Sequence, residues 1–253
     1  MILVLIAAAG FVAGFINVLA GGGSFITLPA LVAGGLTALG ANATSTVALF
    51  PAQAMTTWLA RRDIVMPADD AGGISVRMLA VISTIGGLFG ALLLLVTPPG
   101  VFARIVPWLI LFATAVFAQA SFGGGVPAGG RFGLPRRYVY VVQGVVAIYG
   151  GYFGGGIGIM MLAALALFGL TDMRVMTSIK ILLAMLMNVA AVVTFVIAGL
   201  VAWPQALVLM AGAIVGGAAG IVAARRVPAL WVRVFVVVAG LALTVVFFLR
   251  QGH

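Results

Sequence analysis

The chain of 253 residues is 64% hydrophobic and only 7% charged, with 35 glycines, no cysteine and one histidine. Soluble domains carry roughly 25% charged residues, so this chain has too little polar surface to fold in water. The absence of cysteine excludes disulfides and thiolate catalysis, and the one histidine, His253, is the last residue. The composition therefore predicts a protein of the lipid bilayer, not an enzyme, with no cofactor and no metal site.

Apolar runs long enough to cross about 30 Å of hydrocarbon as helices follow one another along the chain. Strands of alternating hydrophobicity are absent, so the predicted fold class is an all-α polytopic membrane protein. The predicted spans are residues 2–20, 41–60, 73–96, 102–120, 138–153, 174–201, 204–223 and 229–249, with two shorter pieces at 24–36 and 157–168. If each short piece crosses back or forms a re-entrant arm, each half contains five membrane segments.

The basic residues mark four loops and give the orientation. The loops near residues 97–100 and 199–204 contain no Lys or Arg. The positive-inside rule therefore assigns the basic loops to the cytoplasm, and the net charge of +9 is a topology signal and not a sign of nucleic-acid binding. These loops carry Arg61 and Arg62; Arg131, Arg136 and Arg137; Arg174; and Arg225 and Arg226.

An internal repeat relates the two halves. The triplet Gly21–Gly23 recurs 133 positions later as Gly154–Gly156, and Thr44-Ser45 recurs as Thr177-Ser178. Because five segments is an odd number, the second copy must enter the membrane from the opposite side, as in many secondary transporters. We therefore predict a first repeat at 1–120, a cytoplasmic linker rich in glycine, proline and arginine at 121–137, and an inverted second repeat at 138–253.

The two glycine triplets are the strongest candidates for a binding site. Consecutive glycines disfavour a helix by about 1 kcal/mol each, so we predict glycine-broken helices at both places. Broken backbone inside a membrane is tolerated where it is buried in protein or lines a wet cavity, and a helix that starts there directs its N–H groups toward an anion. The alternative is that the glycines only allow close packing. The candidate residues are Asn17, Gly21, Gly22, Gly23, Ser24, Gly154, Gly155 and Gly156.

Polar side chains in otherwise apolar spans extend this candidate site. Hydroxyl and amide groups can replace part of the hydration shell of an oxyanion, although Ser and Thr also bond back to their own helix and Asn42 could cap one. Lys180, the only lysine, could supply the counter-charge, or it could extend to the cytoplasmic interface. Gln53 and Asn188 are uncharged polar residues in these spans; hydrogen bonds between helices explain most residues of this kind, and Asn188 is one to test as a site residue. The candidates are Asn42, Thr44, Ser45, Thr177, Ser178 and Lys180.

The acidic residues argue against a cation as substrate. All four, Asp63, Asp69, Asp70 and Asp172, fall in predicted cytoplasmic loops. No carboxylate is therefore predicted inside the membrane to bind a cation, and a small anion is the favoured substrate.

The first glycine segment resembles that of a known family. Gly14-Phe-Ile-Asn17 running into Gly21–Ser24 and Pro29, followed by Asn42-Ala-Thr44, is similar to the TauE/SafE family of sulfite exporters, over about residues 3–249. The resemblance implies transport of sulfite, or of a small organosulfur anion such as sulfoacetate, across the bacterial inner membrane.

The same resemblance implies substrate contact at both glycine runs and at the Thr and Ser clusters. The second copy departs from the pattern, because Met161 and Leu162 stand where a proline like Pro29 is expected. An anion channel, or a permease for another small oxyanion or carboxylate, is the alternative function. The expected partners are the anion and the lipid bilayer, and the sequence leaves both monomer and homodimer open.

Overall fold

The computed structural model describes residues 1–19, 21–59, 70–71, 74–122, 136–167, 170, 172–223 and 229–251. Within these residues the chain forms ten α-helices, as the all-α prediction requires, and a small antiparallel hairpin of β1 (Asp70–Ala71) and β2 (Ile74–Ser75). The helices of the first half are α1 (Ile2–Leu19), α2 (Ser24–Ala33), α3 (Ala38–Leu59), α4 (Val76–Val96) and α5 (Pro99–Phe122). Those of the second half are α6 (Arg136–Tyr152), α7 (Ile157–Leu167), α8 (Met173–Ile197), α9 (Trp203–Ala223) and α10 (Ala229–Gln251).

Several helix ends differ from the predicted spans. The span predicted at 174–201 ends at Ile197, because Gly199 adopts a φ of 68° and turns the chain toward α9. The predicted linker at 121–137 lies mostly outside the described residues, between the end of α5 at Phe122 and the start of α6 at Arg136. Outside them also lie the loop residues Arg61, Arg62, Asp63, Asp69, Arg131, Arg225, Arg226 and His253.

Two helices begin at side chains that cap them. The Ser75 hydroxyl accepts a hydrogen bond from the Met78 N–H at 3.4 Å. The Asp172 carboxylate accepts one from the Arg174 N–H at 2.8 Å and another from the Val175 N–H at 3.4 Å. A cap satisfies N–H groups that have no partner within the helix. Asp172 therefore has a local structural role at the start of α8.

The surface of the described helices suits lipid. Large apolar side chains are exposed along them, including Ile85 and Phe89 on α4 and Val215 and Val222 on α9. An exposed apolar surface of this extent is unfavourable in water and favourable in hydrocarbon. Among the described residues, five helical stretches are long and apolar enough to cross a membrane: Ile2–Leu19, Val76–Val96, Pro99–Gln119, Arg174–Ile197 and Trp203–Ala223. The protein is therefore a multi-pass membrane protein.

Glycines bring two pairs of helices into close contact. Helix α1 packs on α9, where Gly216 lies against the backbone of Phe11. Helix α6 packs on α4, where Gly86 lies near the carbonyl oxygen of Gly144. Small residues allow this approach, which is the main source of helix association in lipid because the hydrocarbon itself gives no hydrophobic driving force. The two tightest pairings each join a helix of one half to a helix of the other.

The two short helices begin after glycines in an unusual backbone conformation. Gly21, between α1 and α2, has a φ of 78°, and Gly154 and Gly156, between α6 and α7, have φ values of 79° and 75°. A left-handed backbone costs other residues roughly 1–2 kcal/mol, which explains glycine at these positions. Helices α2 and α7 have 10 and 11 residues, about half the length needed to cross the bilayer.

We predict that Gly216→Ala destabilises the protein. Its methyl group would overlap the Phe11 carbonyl group, so α1 and α9 must separate, at a cost of about 1–3 kcal/mol. Thermal unfolding of the detergent-purified protein measures the effect. Gly100→Ala is the matched control, because a methyl group there meets nothing within 4 Å. Equal melting temperatures for the two variants would contradict the proposed role of the α1–α9 contact.

Candidate functional site

A cavity of about 260 Å³ lies where helices α1, α3 and α8 meet the beginnings of α2 and α7. The two segments that lead into the short helices come together there, and a methyl group added at Gly21 would lie 3.8 Å from the Gly158 Cα atom. The polar side chains that line the cavity are Asn17, Ser24, Thr46, Gln53, Thr56, Thr57, Thr177, Lys180 and Asn188. Its remaining lining is glycine, alanine and aliphatic side chains. The cavity is thus a polar site inside an otherwise apolar protein.

Packing fixes the two glycine segments beside the cavity. The ring of Phe25, which is buried, packs against Gly22, Gly155 and Gly156 and so bridges the segments. The Tyr149 hydroxyl donates a hydrogen bond to the Gly155 carbonyl at 3.0 Å. Phe25 therefore joins the starts of α2 and α7 across the two halves, and Tyr149 holds the second segment from within its own half.

Both short helices direct their N-terminal ends toward the cavity. Ser24 is the first residue of α2, and Ile157 and Gly158 are the first two of α7; all three line the cavity. The N-cap of α2 is Gly23, which has no side chain to cap the helix. The Phe25 and Ile26 N–H groups bond to the carbonyls of Gly22 and Gly23 at 3.1 and 3.0 Å. The start of α2 therefore attracts an anion mainly through its aligned peptide dipoles, which amount to roughly half a positive charge at each helix start. Two such ends at one cavity create an environment that favours an anion.

Lys180 adds a basic side chain to the same cavity. Its aliphatic stem packs against Gly158, and Thr177, one turn earlier on α8, lines the cavity beside it. Of the described residues that line the cavity, none is acidic. The cavity therefore has positive potential from one side chain and two helix ends.

Six of the predicted site residues line the cavity: Asn17, Gly21, Ser24, Gly154, Thr177 and Lys180. In the part of the chain that the structure describes, the side chains of Asn17, Ser24 and Thr177 make no hydrogen bond to protein. These groups are available to water or to a ligand.

The other predicted residues do not line the cavity. The Asn42 amide donates to the Tyr152 carbonyl at 3.1 Å, and the Thr44 hydroxyl accepts from the Ala202 N–H at 3.1 Å. The Ser45 hydroxyl pairs with that of Thr27, and the Ser178 hydroxyl donates to the Arg174 carbonyl at 2.8 Å. Gly22, Gly23, Gly155 and Gly156 pack against neighbouring residues. These residues bond to or pack against other parts of the protein and so have structural roles around the cavity.

Five further polar residues of the lining were not among the predicted site residues: Thr46, Gln53, Thr56, Thr57 and Asn188. Gln53 and Asn188 are hydrogen-bonded to each other at 2.7 Å. The spacing of Gln53, Thr56 and Thr57 puts their side chains on one face of α3. This polar face is the sequence signal from which these three residues could have been predicted.

The fold and the site define a class. An all-helical multi-pass membrane protein with short helices that begin at a polar internal cavity has features typical of membrane transport proteins. The family model described as sulfite exporter TauE/SafE matches residues 6–247, and the chain belongs to this family. The family predicted from the first glycine segment is therefore confirmed.

Curated relatives cover most of the chain. It is similar to the probable membrane transporter protein ORF9 of Sinorhizobium sp, at 29% identity over 239 residues that cover 94% of this chain and 88% of the relative. It is also similar to the probable membrane transporter protein YfcA of Escherichia coli K12, at 29% identity over 82% of this chain and 75% of the relative. A probable membrane transporter protein of Haemophilus influenzae is 29% identical over 87% of this chain and 84% of the relative. No solved structure matches the chain significantly.

We predict that the cavity is accessible to a hydrophilic thiol reagent. The natural chain has no cysteine, so Thr177→Cys and Thr44→Cys each carry a single thiol. Thr177 lines the cavity, whereas Thr44 is 0% exposed. The thiol at 177 should react rapidly in the folded protein, and the thiol at 44 slowly until denaturation, as mass spectrometry measures. Equal labelling rates would contradict the geometry of the site.

Proposed function

We propose that this protein exports sulfite, or a related small organosulfur anion such as sulfoacetate, across the bacterial inner membrane by alternating access. One observation carries the proposal: two helix N-termini and the only lysine of the chain face one cavity whose described lining has no carboxylate. The family description, sulfite exporter, and the bacterial origin of the relatives support the substrate class and the location. The protein needs no catalytic chemistry for this function.

The charge at the site suits a small oxyanion. Each helix end contributes about half a charge and Lys180 a full one, so the cavity carries about two positive charges. A buried charge without a partner is costly, and an anion with one or two negative charges would compensate it. The free hydroxyls of Ser24 and Thr177 and the amide of Asn17 would replace part of the hydration of the anion.

We infer further that the halves are inverted repeats with glycine-broken helices. The contact between Gly220 of α9 and Phe15 of α1 recurs between Gly90 of α4 and Ile148 of α6. Phe15 and Ile148 are 133 positions apart, the same spacing as the glycine triplets. Such exchanged pairings are expected when a two-fold axis relates the halves, and five segments per half make that axis lie in the membrane plane.

The described conformation is assigned to the state that is open to the cytoplasm. The cavity includes Thr57, near the end of α3, and Lys180, near the start of α8. In the sequence Arg61 and Arg62 follow the end of α3, and Arg174 is the second residue of α8; basic residues at helix ends are retained in the cytoplasm. An anion would therefore enter from the cytoplasm, as export requires.

Hydrogen bonds close the protein on the side opposite the cytoplasmic opening of the cavity. Thr44 accepts from the N–H of Ala202, Asn42 donates to the carbonyl of Tyr152, and the Tyr152 hydroxyl donates to Thr97 at 3.4 Å. Each such bond contributes about 0.5–1.5 kcal/mol net, so together they stabilise the closed end by a few kcal/mol. This is small enough to be overcome when the protein opens to the other side.

We predict that Lys180→Met weakens anion binding at least about tenfold, because a hydrogen bond to a charged group contributes about 1.5–3 kcal/mol. Thermal stabilisation of the purified protein by sulfite and sulfoacetate measures the affinity. Lys180→Arg keeps the charge and should retain most of it. An unchanged affinity in a folded Lys180→Met variant would remove Lys180 from the site.

We also predict saturable transport in proteoliposomes. A carrier that alternates between two states exchanges labelled sulfite for unlabelled sulfite across the membrane, whereas a channel does not couple the two fluxes. Counterflow should occur with the natural protein and be strongly reduced in Lys180→Met. Ionic currents at channel rates would overturn alternating access and support an anion channel instead.

A further inference from the structure

The cavity contains a second polar cluster, distant from Lys180 along α8. It consists of Gln53, Thr56 and Thr57 on α3 and Asn188 on α8. The Asn188 side-chain NH₂ donates to the Gln53 side-chain oxygen at 2.7 Å. An amide has one carbonyl and one NH₂ group, so this bond leaves the Gln53 NH₂ and the Asn188 carbonyl open.

The two threonines of the cluster present acceptors. Their hydroxyls donate to the backbone carbonyl of Gln53, at 2.9 Å from Thr56 and 2.8 Å from Thr57. A hydroxyl that donates its proton still has lone pairs to accept a bond. The cluster therefore combines several acceptors with one NH₂ donor, whereas the part of the cavity around Lys180 and the helix starts presents mainly donors and positive charge.

The repeat does not reproduce this polar cluster at the corresponding positions. At the repeat spacing of 133 positions, Gln53 corresponds to Leu186 and Asn188 corresponds to Met55. Apolar side chains are therefore found at the corresponding positions of the same two helices. Gln143 offers a contrast: its amide bonds Ser83 at 2.8 Å between α6 and α4, is 0% exposed, and does not line the cavity. That bond joins helices, whereas the Gln53–Asn188 pair also faces a cavity.

The dimensions favour a ligand with two ends. Lys180 and Asn188 are eight positions apart on α8, a separation of about 12 Å along the helix axis at 1.5 Å per residue. The cavity of about 260 Å³ lies just below the range of about 300–1,000 Å³ typical of pockets for drug-sized ligands. A single inorganic oxyanion, which has only a few atoms, would leave the amide cluster to water.

We propose that the natural substrate is a short organic anion with a hydrogen-bond donor, such as a hydroxyl group, at its other end, and that Gln53, Asn188 and Thr57 bind this donor. The inference rests on the proposed function, in which Lys180 and the helix starts bind the anionic end. It makes the amide cluster the element that discriminates between anions of equal charge.

Two sulfonates that differ by one hydroxyl group test the inference: 2-hydroxyethanesulfonate and ethanesulfonate. The full-length protein should bind the hydroxylated anion at least about tenfold more tightly, because its hydroxyl finds partners that ethanesulfonate leaves unpaired. Asn188→Leu should lower the affinity for the hydroxylated anion more than the affinity for ethanesulfonate, and so remove the preference. Thr57→Val, which is nearly isosteric, should reduce it and serves if Asn188→Leu does not fold. Gln143→Leu loses an amide outside the cavity and should keep the preference.

The outcomes separate this inference from the proposed function. If the natural protein binds both sulfonates equally, or if both folded variants keep the preference, the amide cluster has no part in recognition. The same conclusion follows if sulfite binds and neither sulfonate does, and the anion site then still stands. If sulfite and both sulfonates fail to stabilise the protein, the proposed anion site itself is wrong.

Discussion

The architecture depends on one constraint: a backbone that leaves helical geometry inside lipid must find partners for its N–H and carbonyl groups. Under the proposed glycine-broken helices, the chain does so twice, before Ser24 and before Ile157. Both helix starts face the same cavity, where water or an anion can satisfy their N–H groups. The breaks require glycine at Gly21 and Gly154 because of their positive φ values. One requirement therefore explains the glycine triplets, the short helices and the location of the site.

Close contact between backbones keeps these breaks in place. Gly216 lets α9 approach α1, and Gly86 lets α4 approach α6, so that the helices that precede both breaks are packed against the other half. In lipid this packing replaces the hydrophobic effect as the source of association. Phe25 and Tyr149 then fix the second glycine segment. Glycine thus has two physical roles: it adopts positive φ values before the short helices, and it allows close contact between the long helices.

Sequence reasoning predicted the helical class, the glycine segments and the part of the site that includes Lys180, because these depend on apolar length, local backbone preference and one rare residue type. It could not separate Thr44 from Thr177, which have similar local sequences. Only the fold brings the Ala202 N–H, 158 positions away, to Thr44. A bond between helices was expected for Gln53 and Asn188, but the sequence did not show that these two residues, 135 positions apart, bond to each other and line the cavity. Contacts between the two halves depend on the three-dimensional fold, so the spacing of residues along the sequence does not predict them.

The departures from symmetry bear on the direction of transport. Under the proposed inverted repeat, Thr44 and Thr177 are equivalent, yet one is bonded in the closed end and the other is free in the cavity, as expected for a single state of a two-state carrier. Lys180, in contrast, corresponds to Val47, a buried apolar residue. The positive charge is therefore contributed by the second half alone. Under the proposed function, an anion is therefore attracted most strongly in the state in which α8 lines the open cavity, which the proposal assigns to loading from the side of the basic loops.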